Sequence, residues 1–168
     1  MGQALVEKYG DPCRGCGMDL GLDIPAMRAV LAGVPELMQS AIGDTDGLQH
    51  LPELGWTAKA YALHVADNLR LWAERVYALA TGPDQTFGRY DENALAVARV
   101  YDTVPLTGVW WSLSASVRDW TIAMDAGEAA GVTIEHPALG HLAMIDIVQA
   151  NVHDARHHAW DIERSIGC

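Results

Sequence analysis

The sequence predicts a single-domain, all-α protein, an antiparallel four-helix bundle, and three observations lead there. Apolar residues recur at helical spacing in four long segments. Proline and glycine punctuate the ends of those segments. Strand signals are nearly absent, with little period-two alternation and no Asn-Gly hairpin. A chain of 168 residues, half of them apolar, can bury a core without repeats or disulfides.

Residues 1–23 read as a short irregular arm carrying a CxxC motif, and residues 24–168 as the bundle. Asp23 followed by Pro25 starts the first long helix, in which Met27, Val30, Leu31, Val34, Leu37, Met38 and Ile42 repeat until Gly43 stops the run. Thr57, a good N-cap residue, opens the second, which extends to about Ala80 before Gly82-Pro83. The third region divides into a short helix from Asp91 to Tyr101 and, after Pro105, a longer one over Leu106 to Ala126. Pro137 is placed at the start of the last helix, which continues through Ile166 to Gly167.

Charge narrows the choice of partners. Eleven basic residues stand against 22 acidic ones, for a net charge of -11, and Lys8 and Lys59 are the only lysines. Nucleic acid needs clustered basic residues to displace counterions, so it is a poor partner, and an anionic membrane surface is disfavoured by the same sign of charge. The stretch free of charged side chains from Thr103 to Val117 is too short and too interrupted to span a bilayer. The first twenty residues hold Glu7, Lys8, Asp11 and Arg14 where a secretory signal needs an apolar run, and the cysteine count is odd. The expected compartment is the reducing cytoplasm.

Seven histidines are the chemically informative feature. His153 and His157 are four apart on the last helix, so their side chains lie roughly 40° apart, one turn along, and can bind one metal ion. His64 shares a face of the second helix with Ala60, Tyr61, Asn68, Leu71, Trp72, Arg75 and Leu79, a largely apolar set that points it inward. Three inward imidazoles from two helices would form a site with open coordination positions. The competing reading of each is a hydrogen-bonded core histidine. His50, His136, His141 and His158 need no shared role.

Gly55-Trp56-Thr57 through His64-Val65-Ala66-Asp67 resembles the W-S/T…H-x-x-D stretch of the DinB-like (DinB/YfiT) four-helix bundles. Val152 to His158 resembles their last-helix H-x-x-x-H motif, and His136-Pro137-Ala138-Leu139-Gly140-His141-Leu142 their H-P-x-x-G-x-L lead-in. The resemblance runs from about residue 20 to the end. It implies a metal held by His64, His153 and His157, most often zinc or nickel and sometimes iron. Members similar in pattern include bacterial thiol S-transferases, mycothiol-dependent maleylpyruvate isomerase and the iron-binding domain of ergothioneine-forming enzymes. His158 departs from the Arg that many relatives carry there.

If that site is catalytic, the expected reaction is a metal-dependent attack by a low-molecular-weight thiol cosubstrate, or by water, on a small electrophile, as in a thiol transferase or isomerase. The alternative is a non-catalytic metal-binding or ligand-sensing bundle. Asp67 and Asp161 are candidates to orient imidazole N–H groups or take a proton, against the ordinary role of a helical Asp as a solvated or ion-paired side chain. Trp56, Trp72 and Trp160 are candidates to line a substrate cavity and Arg75 to hold a carboxylate, whereas aromatics at helical spacing commonly form core. Trp110 and Trp111 cannot both face one way on a helix, so one lies at a surface or at an interface such as a homodimer provides. Cys13-Arg14-Gly15-Cys16 lacks the second CxxC of a four-cysteine site. A mixed site borrowing His50 or His141, a redox-labile disulfide and a Gly-rich turn with two ordinary thiols all remain open for it, the last being the favoured reading.

Overall fold

The chain is described from a computed structural model covering residues 2–82, 87–136 and 140–167. Asp23 caps helix α2 (Ile24–Ile42) by accepting from the Ala26 N–H at 2.9 Å, and Thr57 caps α3 (Ala58–Thr81) by accepting from Ala60 at 3.2 Å. Ahead of them the arm contains one short helix, α1 (Gly2–Tyr9), followed by turns. Asp91 caps α4 (Glu92–Ala98), a single 3-10 turn follows at Tyr101–Thr103, and α5 covers Leu106–Ala130. The last helix, α6, runs from Met144 to Ile166.

Three features differ from expectation, the first being helix α1 in an arm read from the sequence as irregular. A two-stranded antiparallel hairpin, β1 (Thr133–His136) and β2 (Gly140–Ala143), precedes α6 in the register Thr133 opposite Ala143 and His136 opposite Gly140. The last helix therefore starts seven positions after Pro137, a residue that itself lies outside those described. The Asp146 carboxylate accepts from the Ala143 N–H at 2.9 Å and sets that start. The β-branched run Val132-Thr133-Ile134 after the left-handed Gly131 was the local signal for the hairpin, too brief to show alternation.

Four long helices form the bundle. α3 packs along α5 and α6, and α2 packs along α6 and α5, so α2 and α3 are diagonal neighbours although consecutive in sequence. The segment between them, residues 43–57, crosses the end of the bundle. α2 contributes a narrow stripe of Met27, Leu31, Val34, Met38 and Ile42, while α3 is buried at every position from Ala58 to Leu69. Gly127 lets α5 approach closely, because a Cβ there would lie 2.7 Å from both Met144 Sδ and Val76 Cγ1. Trp111 stands 74% exposed while Trp110 packs against the core. Among the described residues, no helix is long and apolar enough to cross a membrane.

Asp67 is the polar anchor of this half of the bundle. It is buried, accepts from the Tyr101 hydroxyl at 2.5 Å and from the Arg99 guanidinium, and lies 3.6 Å from Arg70. Burial, reinforced by Asp67, raises the pKa of Tyr101 and keeps its hydroxyl a donor. The carboxylate thus ties α3 to the segment following α4. Asp67→Ala leaves the Tyr101 hydroxyl buried and unpaired and should cost roughly 2–3 kcal/mol, read as a lower urea midpoint at unchanged m-value.

Candidate metal centre

Placing α3 beside α6 brings His64 over α6, where it faces Asp154 and His158. The potential ligand atoms of these three residues all lie within 4.8 Å of one another. His64 Nε2 is 3.6 Å from Asp154 Oδ2, and His158 Nε2 is 3.4 Å from Asp154 Oδ1. Two imidazoles and one carboxylate are a donor set that zinc hydrolases and mononuclear iron enzymes use with coordination positions left open.

Each candidate ligand is held by neighbours. Asp161 accepts from His158 Nδ1 at 3.0 Å, which leaves Nε2 free to turn to the centre, and Arg164 steadies Asp161 at 3.1 Å. Asn68 donates to Asp154 Oδ2 at 3.2 Å and to Asn151 Oδ1 at 3.1 Å, while its carbonyl accepts from the Tyr90 hydroxyl at 2.8 Å. Trp56 packs on the His64 ring at 4.8 Å and Tyr61 on that of His158 at 4.8 Å. Every rotatable group at the centre is therefore packed or hydrogen-bonded.

Charge at the centre is polarised. Burial opposes ionisation of Asp154, but His158 and His64 outweigh it and hold the carboxyl well below its usual range. Burial likewise opposes charge on His158, yet Asp154 and Asp161 raise its pKa to about 9. Without an ion, His158 is the cation that balances two carboxylates.

The centre opens into a cleft of about 480 Å³. Trp56, Trp72, Tyr90 and Arg75 line it together with Asp154 and His158. Arg75 donates to the Gly88 carbonyl at 2.7 Å and sits against the rings of Trp72, Phe87 and Tyr90, so its guanidinium is fixed in place.

The other candidates divide as follows. His153 and His157 belong to a second group of ligand atoms, with Cys13 and Cys16, and not to the group containing His64. Trp160 is absent from the lining of the cleft; it packs on His157 at 5.1 Å and under the Arg164 guanidinium at 4.2 Å. Asp67 serves the Tyr101 and Arg99 contacts, and Asp161 faces His158. His141 pairs with Glu135 at 2.6 Å on the exposed hairpin, and His50 borders a different cavity, so neither joins the cysteines. His158, a histidine for which the sequence requires no shared role, lies with His64 and Asp154 in the cleft-facing group. Asp154 and His158 stand at the same i,i+4 spacing as His153 and His157, one residue later, and that second pair was the available signal.

No protein-family model matches the chain, and no curated protein matches it. Among solved structures it is similar to YfiT from Bacillus subtilis, described as a probable metal-dependent hydrolase with an unusual four-helix bundle topology. The two superpose with a TM-score of 0.71 at 20% sequence identity over 83% of each chain. The chain has the DinB/YfiT-like fold.

His158 gives a pH signature. A histidine with a folded pKa above its unfolded value near 6.5 contributes stability in full below that value, and the contribution is lost as pH rises through about 9. In metal-stripped protein, His158→Gln should lower the urea midpoint most near about pH 6 and progressively less towards pH 9. A gap that widened with rising pH would contradict the ion-pair assignment.

Proposed function

We propose that this protein is a metal-dependent enzyme that uses His64, Asp154 and His158 to hold a divalent ion and directs water or a low-molecular-weight thiol at a small electrophile in the adjoining cleft. The observation that carries the reading is a two-histidine, one-carboxylate group at the wall of a cleft with aromatic lining and a fixed guanidinium. The fit to a metal rests on the donor set: three groups within 4.8 Å, two of them steadied by further side chains, on adjacent helices. The description of YfiT as a probable metal-dependent hydrolase is consistent with this class. Zinc, nickel and iron all suit the ligands.

A divalent ion supplies, when bound, a Lewis acid that makes a nucleophile of water or a thiol at neutral pH. The chain's own contribution is positioning and proton management. Asp161 fixes the tautomer of His158 and aims Nε2 inwards, while Asn68 holds Asp154 and Tyr90 holds Asn68. Burial and the Asp154 charge raise the pKa of Tyr90, so its hydroxyl stays neutral and keeps donating to Asn68 at the edge of the cleft. Arg75, caged by three rings, offers a carboxylate-binding guanidinium about three turns from His64 on α3. Trp56 and Trp72 exclude water from apolar parts of a substrate.

Asp154→Ala and His158→Ala should each remove about one equivalent of metal per chain and abolish turnover, with metal measured by elemental analysis on protein purified without an affinity tag. Asp161→Asn should keep the fold and cost about 10- to 100-fold in metal affinity or rate. Assays offering mycothiol, bacillithiol or glutathione with a generic electrophile, beside ester and amide hydrolysis, separate thiol transfer from hydrolysis. Full metal content in both Asp154→Ala and His158→Ala would sink the assignment.

A further inference from the structure

We propose that the chain carries a second metal site, a closed tetrahedral Cys2His2 zinc centre made by Cys13, Cys16, His153 and His157, which clamps the N-terminal arm onto α6. It is separate from the centre facing the cleft and independent of the function proposed there. The four ligand atoms lie within 4.8 Å of one another. Zinc–sulfur and zinc–nitrogen bonds of about 2.3 and 2.0 Å place tetrahedral ligands about 3.3–3.8 Å apart, so small side-chain movements bring all four into contact with one ion. Cys13 Sγ and His157 Nδ1 are already 3.5 Å apart.

Independent features point to an ion here. His153 is 3% exposed, and its Nε2 is buried without a hydrogen-bond partner, an unfavourable state that a bond to zinc would relieve. Both cysteines are free thiols, 2% and 7% exposed. The turn that presents them closes on itself: Cys13 N–H donates to the Met18 carbonyl at 2.8 Å, Gly17 N–H donates to the Cys13 carbonyl at 2.9 Å, and Gly17 takes a left-handed φ of 71°. Gly15 is pressed so closely on α6 that a Cβ would lie 2.9 Å from both His157 Cε1 and Trp160 Cζ3. Tyr9, the last residue of α1, covers His153 and His157 at 4.6 and 5.2 Å. Four protein ligands under such a cover leave no position for substrate, which is the structural rather than the catalytic arrangement.

The site explains why α6 carries overlapping pairs. His153 and His157 face the arm, while Asp154 and His158, one residue and about 100° further round, face α3. Zinc on one side therefore fixes the rotation of α6 that aims the other pair.

The test loads the full chain with cobalt(II), which reports tetrahedral thiolate ligation by thiolate-to-cobalt charge-transfer absorption. One equivalent should produce that band in wild-type protein and in Asp154→Ala, and none should appear in the Cys13→Ser/Cys16→Ser double variant, whose thermal midpoint should also fall. To keep the test independent of how that variant folds, the wild-type zinc protein supplies the second arm: Cys13 and Cys16, mapped by mass spectrometry, should resist alkylation until a chelator removes the metal. The proposal is overturned if no charge-transfer band forms in wild-type protein, if both cysteines alkylate freely while zinc is bound, or if anaerobically purified protein contains a Cys13–Cys16 disulfide. Failure of the cleft-facing centre would instead appear as unchanged metal content in Asp154→Ala and His158→Ala with this band intact.

Discussion

Burial of α6 between the other helices and the arm is the constraint on which the rest depends. Val148, Val152, Ala155, Ala159 and Ile162 are fully enclosed, yet Asn151, His153, Asp161 and Ser165 are buried beside them. Polar groups taken out of water are costly unless paired, so each must find a partner on a neighbouring element. Ser165 donates to the Asp161 carbonyl one turn back, Asn151 bonds Ile147 and Asn68, and Asp161 holds His158. Of these four residues His153 is the exception, its Nε2 without a partner beside two thiols. The polar demands of one helix thus dictate what α3 and the arm must bring to it.

The diagonal placement of α2 and α3 answers that demand. Were consecutive helices adjacent, as a simple up-and-down arrangement would have them, α3 would share fewer contacts with the last helix. The crossing of residues 43–57 instead sets α3 between α5 and α6, with His64 and Asn68 opposite Asp154. The cleft results from the same packing. It forms where the segment 87–90, the N-terminal part of α4 and the hairpin residues Ile134 and Glu135 close around the α3–α6 seam. The candidate ligand group and the cleft beside it are consequences of one helix pairing.

Much of this was readable along the chain because it is governed by local chemistry. The ends of α2 and α3 follow from side-chain caps at Asp23 and Thr57, and the bundle follows from apolar spacing. The hairpin was less legible, since four-residue strands are too brief for periodicity and are stabilised by pairing. In the candidate centre His64 was named from its spacing, but which of two offset i,i+4 pairs on the last helix faces it was not legible. Both pairs satisfy the spacing rule, and residue type favoured the two histidines. The potential ligand atoms grouped with theirs belong to cysteines more than 130 positions away, a relation that no local pattern encodes.

What the sequence by itself determined is therefore the long helices, their caps and the histidines they carry, but neither Asp154 nor a role for His158. Capping, periodicity and charge act over one to four residues and can be read from neighbours in the chain. Only the tertiary structure decided which face of α6 meets α3 and which meets the arm. That choice turns on a rotation of about 100° per residue and on the packing of whole helices. A shift of one position on α6 moves a side chain from one partner to the other, which is why three histidines expected together lie in two groups.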